Sequence, residues 1–381
     1  MSMSGQSSGG VTVVEDGKYT VRAYESRDLD GVHALSELVW GSDRSVEWLA
    51  YRYETNPYRD GPPMVVAETD GHVVGARPFV PLPMRVGHTD VTAVYLGNLM
   101  VHPEHRRQGL FTRMTELATE LYADTDSDFF FNFANERSAP GYRKLDFEAV
   151  ATGPEKQFRV QNPGQVVRDR MRLPAGRYLG VAADAAMDSY LSLRRRGPTR
   201  AGYEVERLSG IPAELVAELY EADHPTALHT RREETFYRWL ANGPYWEYET
   251  YVASSDGTPA AAVVVRRRSL RRDGDVWLVD AVPPNSGEHR AAFRAVLDSV
   301  LADHREARVI SVLGPVVHEQ LFSEETLREY GFLSSTHPLL SRLVGRDDTM
   351  FFHSLGGHTE GVPTVGGVDL RNPENWALRV S

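Results

Sequence analysis

Residues 95–121 read YLGNLMVHPEHRRQGLFTRMTELATEL, and the reading of the whole chain turns on this run. A strand ending at Val101 leads through His102-Pro103 into Arg106-Arg107-Gln108-Gly109-Leu110-Phe111, and the apolar spacing is then helical from Leu110 to Tyr122. A glycine in a tight loop at a helix start exposes backbone N–H groups that have no partner inside the helix, and the helix dipole adds positive potential. Such a terminus binds phosphate oxygens. Arg106 and Arg107 add charge around it. The competing reading is an ordinary strand-to-helix turn.

Upstream, KYTVRAY alternates like a strand, and DLDGVHALSELVW places Leu29, Val32, Leu35, Leu38 and Val39 at helical spacing. A second helix is expected from Ser45, a suitable N-cap. MVVAETDGHVVGARPFVPLPMRV reads as two strands joined at Asp70-Gly71, and VTAVYLGNLMV as a third. Downstream, DFFFNFA reads as a buried strand, SAPGYRKL as a short helix, and FEAVATGPEKQFRV as a closing pair of strands. The expected class is α/β, a mixed sheet flanked by helices.

The chain then starts again. Tyr51-Arg52 recurs as Tyr237-Arg238, Asn56 as Asn242, Val66-Ala67 as Val252-Ala253 and Asp70-Gly71 as Asp256-Gly257, each pair 186 positions apart. A constant offset across four matches argues for a duplicated domain. The expected organisation is a disordered N-terminus over 1–16, a first domain over 17–162, a linker over 163–201, a second domain over 202–344, and a Gly-rich wrap-around tail over 345–381 anchored at Trp376.

Of the 381 residues none is cysteine, so disulfides, thiolate metal sites and cysteine nucleophiles are excluded, and no metal site is expected. The formal net charge of −11 disfavours nucleic-acid and anionic-membrane partners. No run approaches the roughly 18 apolar residues of a membrane span. The first residues lack a secretory pattern, and a cytoplasmic protein is expected. The arginine cluster RRRSLRRD at 266–273 reads as a solvated hairpin tip.

VHPEHRRQGLF resembles motif A of the GNAT acetyltransferase superfamily, with Arg106 and Gly109 in register and Phe111 where the family usually keeps a small residue. NERSAPGYRKLDF, residues 135–147, resembles motif B: Asn135, Ser138, Tyr142, Leu145 and Phe147 match, and Asp146 replaces a glycine. The resemblance covers roughly 17–162, and the repeat extends the fold to two tandem GNAT-like acyl-CoA N-acyltransferase domains. The second half offers VPPNSGEHRAAF at 282–293, without an Arg-x-x-Gly pattern and with Glu288 near the helix start, which implies a degenerate domain that has lost the cofactor.

The resemblance implies transfer of an acetyl group from acetyl-CoA to a small-molecule or peptide amine by direct attack in a ternary complex. Leu99, Met100 and Val101 would lie along the pantetheine arm, the loop Arg106, Arg107, Gln108, Gly109, Leu110, Phe111 and Thr112 would hold the pyrophosphate, and Asn135 would lie nearby. Tyr142 would protonate the leaving thiolate. The family's usual carboxylate base falls at Gly97, beside Asn98, so the amine proton would leave through water held by Asn98 or Tyr95, or to a carboxylate of the second domain. His102 and Glu136 are weaker bases for this role. The alternatives are a non-catalytic acyl-CoA-binding or regulatory module, and a tandem peptidyl aminoacyl transferase, whose tRNA partner the charge balance disfavours. The amine and the oligomeric state have no readable code.

Overall fold

The computed structural model describes residues 13–41, 44–152, 156–165, 175–192, 202–268, 274–284, 289–312, 324–338, 348–355 and 364–377. The serine- and glycine-rich start, Glu288, Arg271 and Arg272 lie outside the described residues.

The first half opens with β1 (Val13–Asp16), β2 (Tyr19–Ala23), α1 (Leu29–Trp40) and α2 (Val46–Leu49), which runs on as a wider π-helical stretch over Ala50–Glu54. Ser45 does cap α2, its Oγ accepting from the Trp48 N–H at 3.4 Å. Then come β3 (Met64–Thr69), β4 (His72–Pro78), β5 (Val80–Val86), β6 (Thr89–Tyr95), β7 (Met100–Val101), α3 (Leu110–Tyr122), β8 (Phe129–Ala134), α4 (Ala139–Arg143), β9 (Glu148–Thr152) and β10 (Gln157–Val160). After α5 (Ala175–Ser192) the second half repeats the series with β11 (Glu204–Ser209), α6 (Ala213–Ala222), β12 (His229–Thr230), α7 (Glu234–Ala241), β13 (Trp246–Ser255) and β14 (Thr258–Arg268). It continues through β15 (Val276–Val282), α8 (Arg290–Asp303), β16 (Val309–Val312), α9 (Glu324–Glu329), β17 (Leu333–Ser334) and β18 (Thr349–Ser354).

The repeat is visible in the backbone. Asp70 and Gly71 join β3 to β4 with φ of 51° and 74°, and Asp256 and Gly257 join β13 to β14 with 50° and 75°. Both central residues of a two-residue turn need positive φ in this hairpin type, which is why Asp-Gly stands at both places. In each half one parallel pair, β6 with β8 and β15 with β16, is linked by a helical crossover through α3 or α8. The chain therefore has two tandem α/β units with mixed sheets.

The expected hairpin partner of β3 is interrupted. Pro78 ends β4, and the chain shifts at Phe79 so that β4 stays in the sheet β1-β2-β3-β4-β7 while β5 enters the sheet β12-β5-β6-β8-β18-β9. The closing pair expected after α4 does not form either. β10 crosses to the second half's sheet, β11-β13-β14-β15-β16-β10-β17, between β16 and β17. Its place in the first half is taken by β18, which pairs with β8 on one side and β9 on the other. The expected wrap-around tail is thus partly a sheet strand, and the two halves exchange strands. Met350, Phe351 and Phe352 of β18 are buried, so the exchange is sealed on both faces. Trp376 is the anchor expected of it, packing on Phe129 and Phe352 with its indole N–H donating to the Leu370 carbonyl at 2.7 Å.

Residues 17–162 alone would lack β18 and present β10 without partners, leaving β8 and β9 with unpaired edges. That fragment is expected to show no cooperative thermal transition by circular dichroism. A native-like melt would contradict the exchange.

β8 lies where its three phenylalanines suggested. Phe130 packs with Leu110, Met114 and Leu117 of α3, while Phe129 and Phe131 join a core shared with α1, α2, α6 and α7. Both faces are covered, which explains an apolar run with no alternation. No helix among the described residues is long and apolar enough to cross a membrane.

The second half also lends β12 to the first half's sheet, and with it a buried histidine. His229 Nδ1 lies 2.7 Å from the Ala227 carbonyl, which can only accept, so Nδ1 carries the hydrogen and Nε2 accepts from the Tyr220 hydroxyl at 2.7 Å. Burial pushes its pKa down to about 3, opposed by the Ala227 bond and helped by Arg232, His224 and Arg85. The unfolded chain would take up a proton below roughly pH 6.5 that the folded chain refuses. Stability should therefore fall as pH drops from there towards 3, by up to about 1.4 kcal/mol per pH unit from this group. Urea titrations from pH 7 to pH 4 should show that component, and His229→Gln should lack it; equal slopes would refute the assignment.

Candidate active site

Gly109 is the N-cap of α3 and has φ of 74°, while Arg107 two residues earlier has 62°. This left-handed pair folds the loop back so that it feeds straight into the helix. The first bond of the helix is from the Arg113 N–H to the Gly109 carbonyl at 3.1 Å, so the N–H groups of Leu110, Phe111 and Thr112 have no acceptor within the helix. A Cβ on Gly109 would meet nothing within 4 Å, and residues 106–109 are exposed, so the space in front of these donors is open. Arg106 Nε donates to the Val101 carbonyl at 3.2 Å, and Arg113 Nη2 to the Gln108 carbonyl at 3.1 Å. Two arginines thus brace the loop. Arg113 was not among the expected residues, although its place one turn into α3 was a readable signal.

The strands beside the loop part company. β6 pairs with β8 only from Ala93↔Phe129 to Tyr95↔Phe131, with a last bond from the Leu96 N–H to the Phe131 carbonyl at 2.9 Å. Beyond this point Met100 and Val101 pair with Ala76 and Gly75 of β4, while Phe133 and Ala134 pair with Met350 and Thr349 of β18. The divergence follows Gly97 and Asn98, the latter at φ of 54°. It opens four residues before Val101, so the single strand expected over VTAVYLGNLMV is broken into β6 and β7. Met100 and Leu110 are buried in the core, so they border the cleft through backbone groups.

Gly97 has a local reason. A Cβ there would stand 2.5 Å from the Tyr95 ring, so the ring occupies the room a larger side chain would need. Burial pushes the Tyr95 hydroxyl up to about 12, with lesser effects from Arg52, Tyr53, Tyr142 and Asp348. It is a neutral phenol at physiological pH. The Asn98 side chain accepts from Arg44 Nη2 at 3.2 Å and donates to the Tyr53 hydroxyl at 3.3 Å, which ties it to the α2 region. His102 is held by the turn that follows, accepting from the Glu104 N–H at 3.3 Å.

α4 carries Tyr142. Asn135 caps the turn that begins α4, its Oδ1 accepting from the N–H groups of Arg137 and Ser138 at 3.0 and 3.1 Å. Asp146 has φ of 58°, the conformation that explains a glycine at this motif position. Tyr142 is 3% exposed and packs against Phe111, Phe147 and Phe351. A Cβ on Gly141 would stand 2.7 Å from the Phe111 ring, so the bulky residue of the loop is accommodated by a glycine of α4. The Tyr142 hydroxyl accepts a bond from Arg77 Nη1 at 2.7 Å. Arg77 was not anticipated.

Of the arginine cluster expected at a hairpin tip, Arg266, Arg267 and Arg268 are the last residues of β14, and the rest lies outside the described residues. The register of β14 with β13 and β15 places Arg266 opposite Trp277 and its guanidinium over Trp246, 4.3 Å from the ring centroid, while Arg267 pairs with Glu247 at 2.7 Å. Trp246 and Trp277, which lie against Arg266, come from the neighbouring strands β13 and β15.

A loop that leaves three helix N–H groups without an intrahelical acceptor, next to two parallel strands that part, has the donors that suit an anion. Residues 20–150 match the family model described as acetyltransferase (GNAT) domain. Three solved structures share the whole fold. A GCN5-related N-acetyltransferase from Anabaena variabilis ATCC 29413 is 12% identical, covers 89% of this chain and 73% of its own, and has a TM-score of 0.57. A tandem GNAT protein from the clavulanic acid biosynthesis pathway is 14% identical, with 90% and 100% covered and a TM-score of 0.55. A GCN5-related N-acetyltransferase from Kribbella flavida is 15% identical, with 88% and 70% covered and a TM-score of 0.53. No curated protein matches the chain. Residues 20–150 thus match a GNAT domain model, and the chain as a whole shares the fold of a tandem GNAT protein. The fold supports acyl transfer in general, and the family takes acyl groups from acyl-CoA to amine acceptors.

Proposed function

We propose that the chain is an N-acetyltransferase that moves the acetyl group of acetyl-CoA to an amine by direct attack within a ternary complex. What supports this reading is that the Gly109 loop enters α3 beside the parted strands and that its Phe111 packs against the buried Tyr142. The N–H groups of Leu110 to Thr112, with Arg106, Arg107 and Arg113, suit a pyrophosphate by charge and by donor direction. Leu99 to Val101 offer an unpaired strand edge to an amide-bearing arm, in the manner of an added strand. Tyr142 gives up its proton to the sulfur, and a water held at Asn98 and Tyr95 takes the proton of the amine, since Gly97 supplies no carboxylate. Residues 17–162 hold the catalytic site in this reading, and the second half, whose counterpart segment over 282–293 has no Arg-x-x-Gly pattern, binds no cofactor and completes the first half's sheet.

A thiol-release assay with acetyl-CoA and a panel of small-molecule and peptide amines tests it. Turnover on at least one amine is expected. Cofactor binding without turnover on any would favour a non-catalytic acyl-CoA-binding module.

A further inference from the structure

We propose that Arg77 is a positioning residue for Tyr142, a role that rests on the acetyl-transfer reading above. Arg77 stands on β4 opposite Val65 and is fully buried. Its guanidinium lies 5.2 Å from the Tyr142 ring centroid and 5.5 Å from that of Phe111, and Nη1 donates to the Tyr142 hydroxyl at 2.7 Å. Nε and Nη2 are buried without an acceptor, and among the described residues no carboxylate pairs with it. The other buried arginines are neutralised: Arg22 by Asp28 and Glu68, Arg232 by Asp280. A buried cation without a counter-charge is costly to the fold, and packing alone gives no reason for it. Its one hydrogen bond goes to the atom on which negative charge would appear during transfer.

The chemistry follows from the donor inventory. Guanidinium nitrogens only donate, so the Tyr142 oxygen is the acceptor in this bond and its own O–H is free to point elsewhere. As the amine nitrogen bonds to the acyl carbon, the carbon–sulfur bond breaks and its electron pair leaves on sulfur. The Tyr142 proton passes to that sulfur, giving the free thiol. The phenolate oxygen keeps its bond from Arg77 Nη1, now between opposite charges, until a solvent proton restores the phenol; the proton of the amine leaves to water, so the exchange is neutral overall. The Arg77 bond strengthens only as the proton leaves, so it acts on turnover rather than on binding.

The test is a double-mutant cycle on the full chain. Arg77→Met, which keeps an unbranched apolar side chain in the site, is expected to lower kcat about 100-fold with little change in the KM for acetyl-CoA. The loss should shrink as pH rises through roughly 8.5, where a thiolate leaves without help. Arg77→Lys, which keeps the charge and one donor, should recover part of it, and serves alone if the methionine variant does not fold. In a Tyr142→Phe background Arg77→Met should cost nothing more. An equal loss in both backgrounds would mean a structural role, and unchanged kcat in a folded Arg77→Met protein would also overturn the proposal. If Tyr142→Phe itself keeps full turnover, the acid reading fails and this role falls with it. A loss in Tyr142→Phe with none in Arg77→Met overturns only the role of Arg77.

Discussion

Tyr142→Phe is expected to lower turnover at pH 7 by about 100-fold or more while leaving acetyl-CoA affinity nearly unchanged, the usual scale for removal of a positioned acid. The ring is packed by Phe111, Phe147 and Phe351, and phenylalanine keeps those contacts, so the change removes the hydroxyl and little else. A thiolate has an ordinary pKa of roughly 8.5, so it becomes a tolerable leaving group as pH rises. The deficit should therefore narrow between pH 7 and pH 9. Turnover of both proteins across that range, on any accepted amine, is the measurement. Full activity at pH 7, or a deficit of constant size, would remove Tyr142 from the acid role.

Gly109→Glu is expected to weaken acetyl-CoA binding by about 100-fold or more. Two costs combine. The φ of 74° is strained for any L side chain, by about 1 to 2 kcal/mol, and the carboxylate would project into the open space before the α3 N–H groups, where an anion must sit. Gly109→Ala carries the first cost without the second and should fall between. Calorimetric titration of the full chain separates these effects. The native protein should bind one equivalent per chain, in the first half only, and Gly109→Glu should remove it. A second equivalent surviving in the mutant would place another cofactor site in the second half.

Much of this site could be read from the residues because it is local. The loop from Arg106 to Thr112, the Asp-Gly hairpins, the buried β8 and the cap and helix around Tyr142 each depend on neighbours within a few positions. Arg77 could not be found that way. In HVVGARPFV it reads as one polar residue near the end of a strand, and Phe111 and Tyr142, far along the chain, lie against its guanidinium. The strand exchange was equally hidden: QFRV and TMFFHS are short extended runs, and nothing within either says which sheet receives it. The earlier break at Pro78-Phe79 had its signal in the prolines of RPFVPLP, and the length of α5 had its own in the alanines of VAADAAMDSY.

The exchange also bears on how the chain is made. β8, with its run of phenylalanines, waits for β18, and about 215 residues separate Ala134 from Thr349. At the usual pace of synthesis, roughly 5 to 20 residues per second, the edge of β8 stays open on the nascent chain for about 10 to 40 s. An apolar strand edge left open that long is a template for pairing with other chains. Ribosomes stalled late in the message would thus release a sticky product, and slowing translation between the two halves should increase the share of protein lost to aggregation.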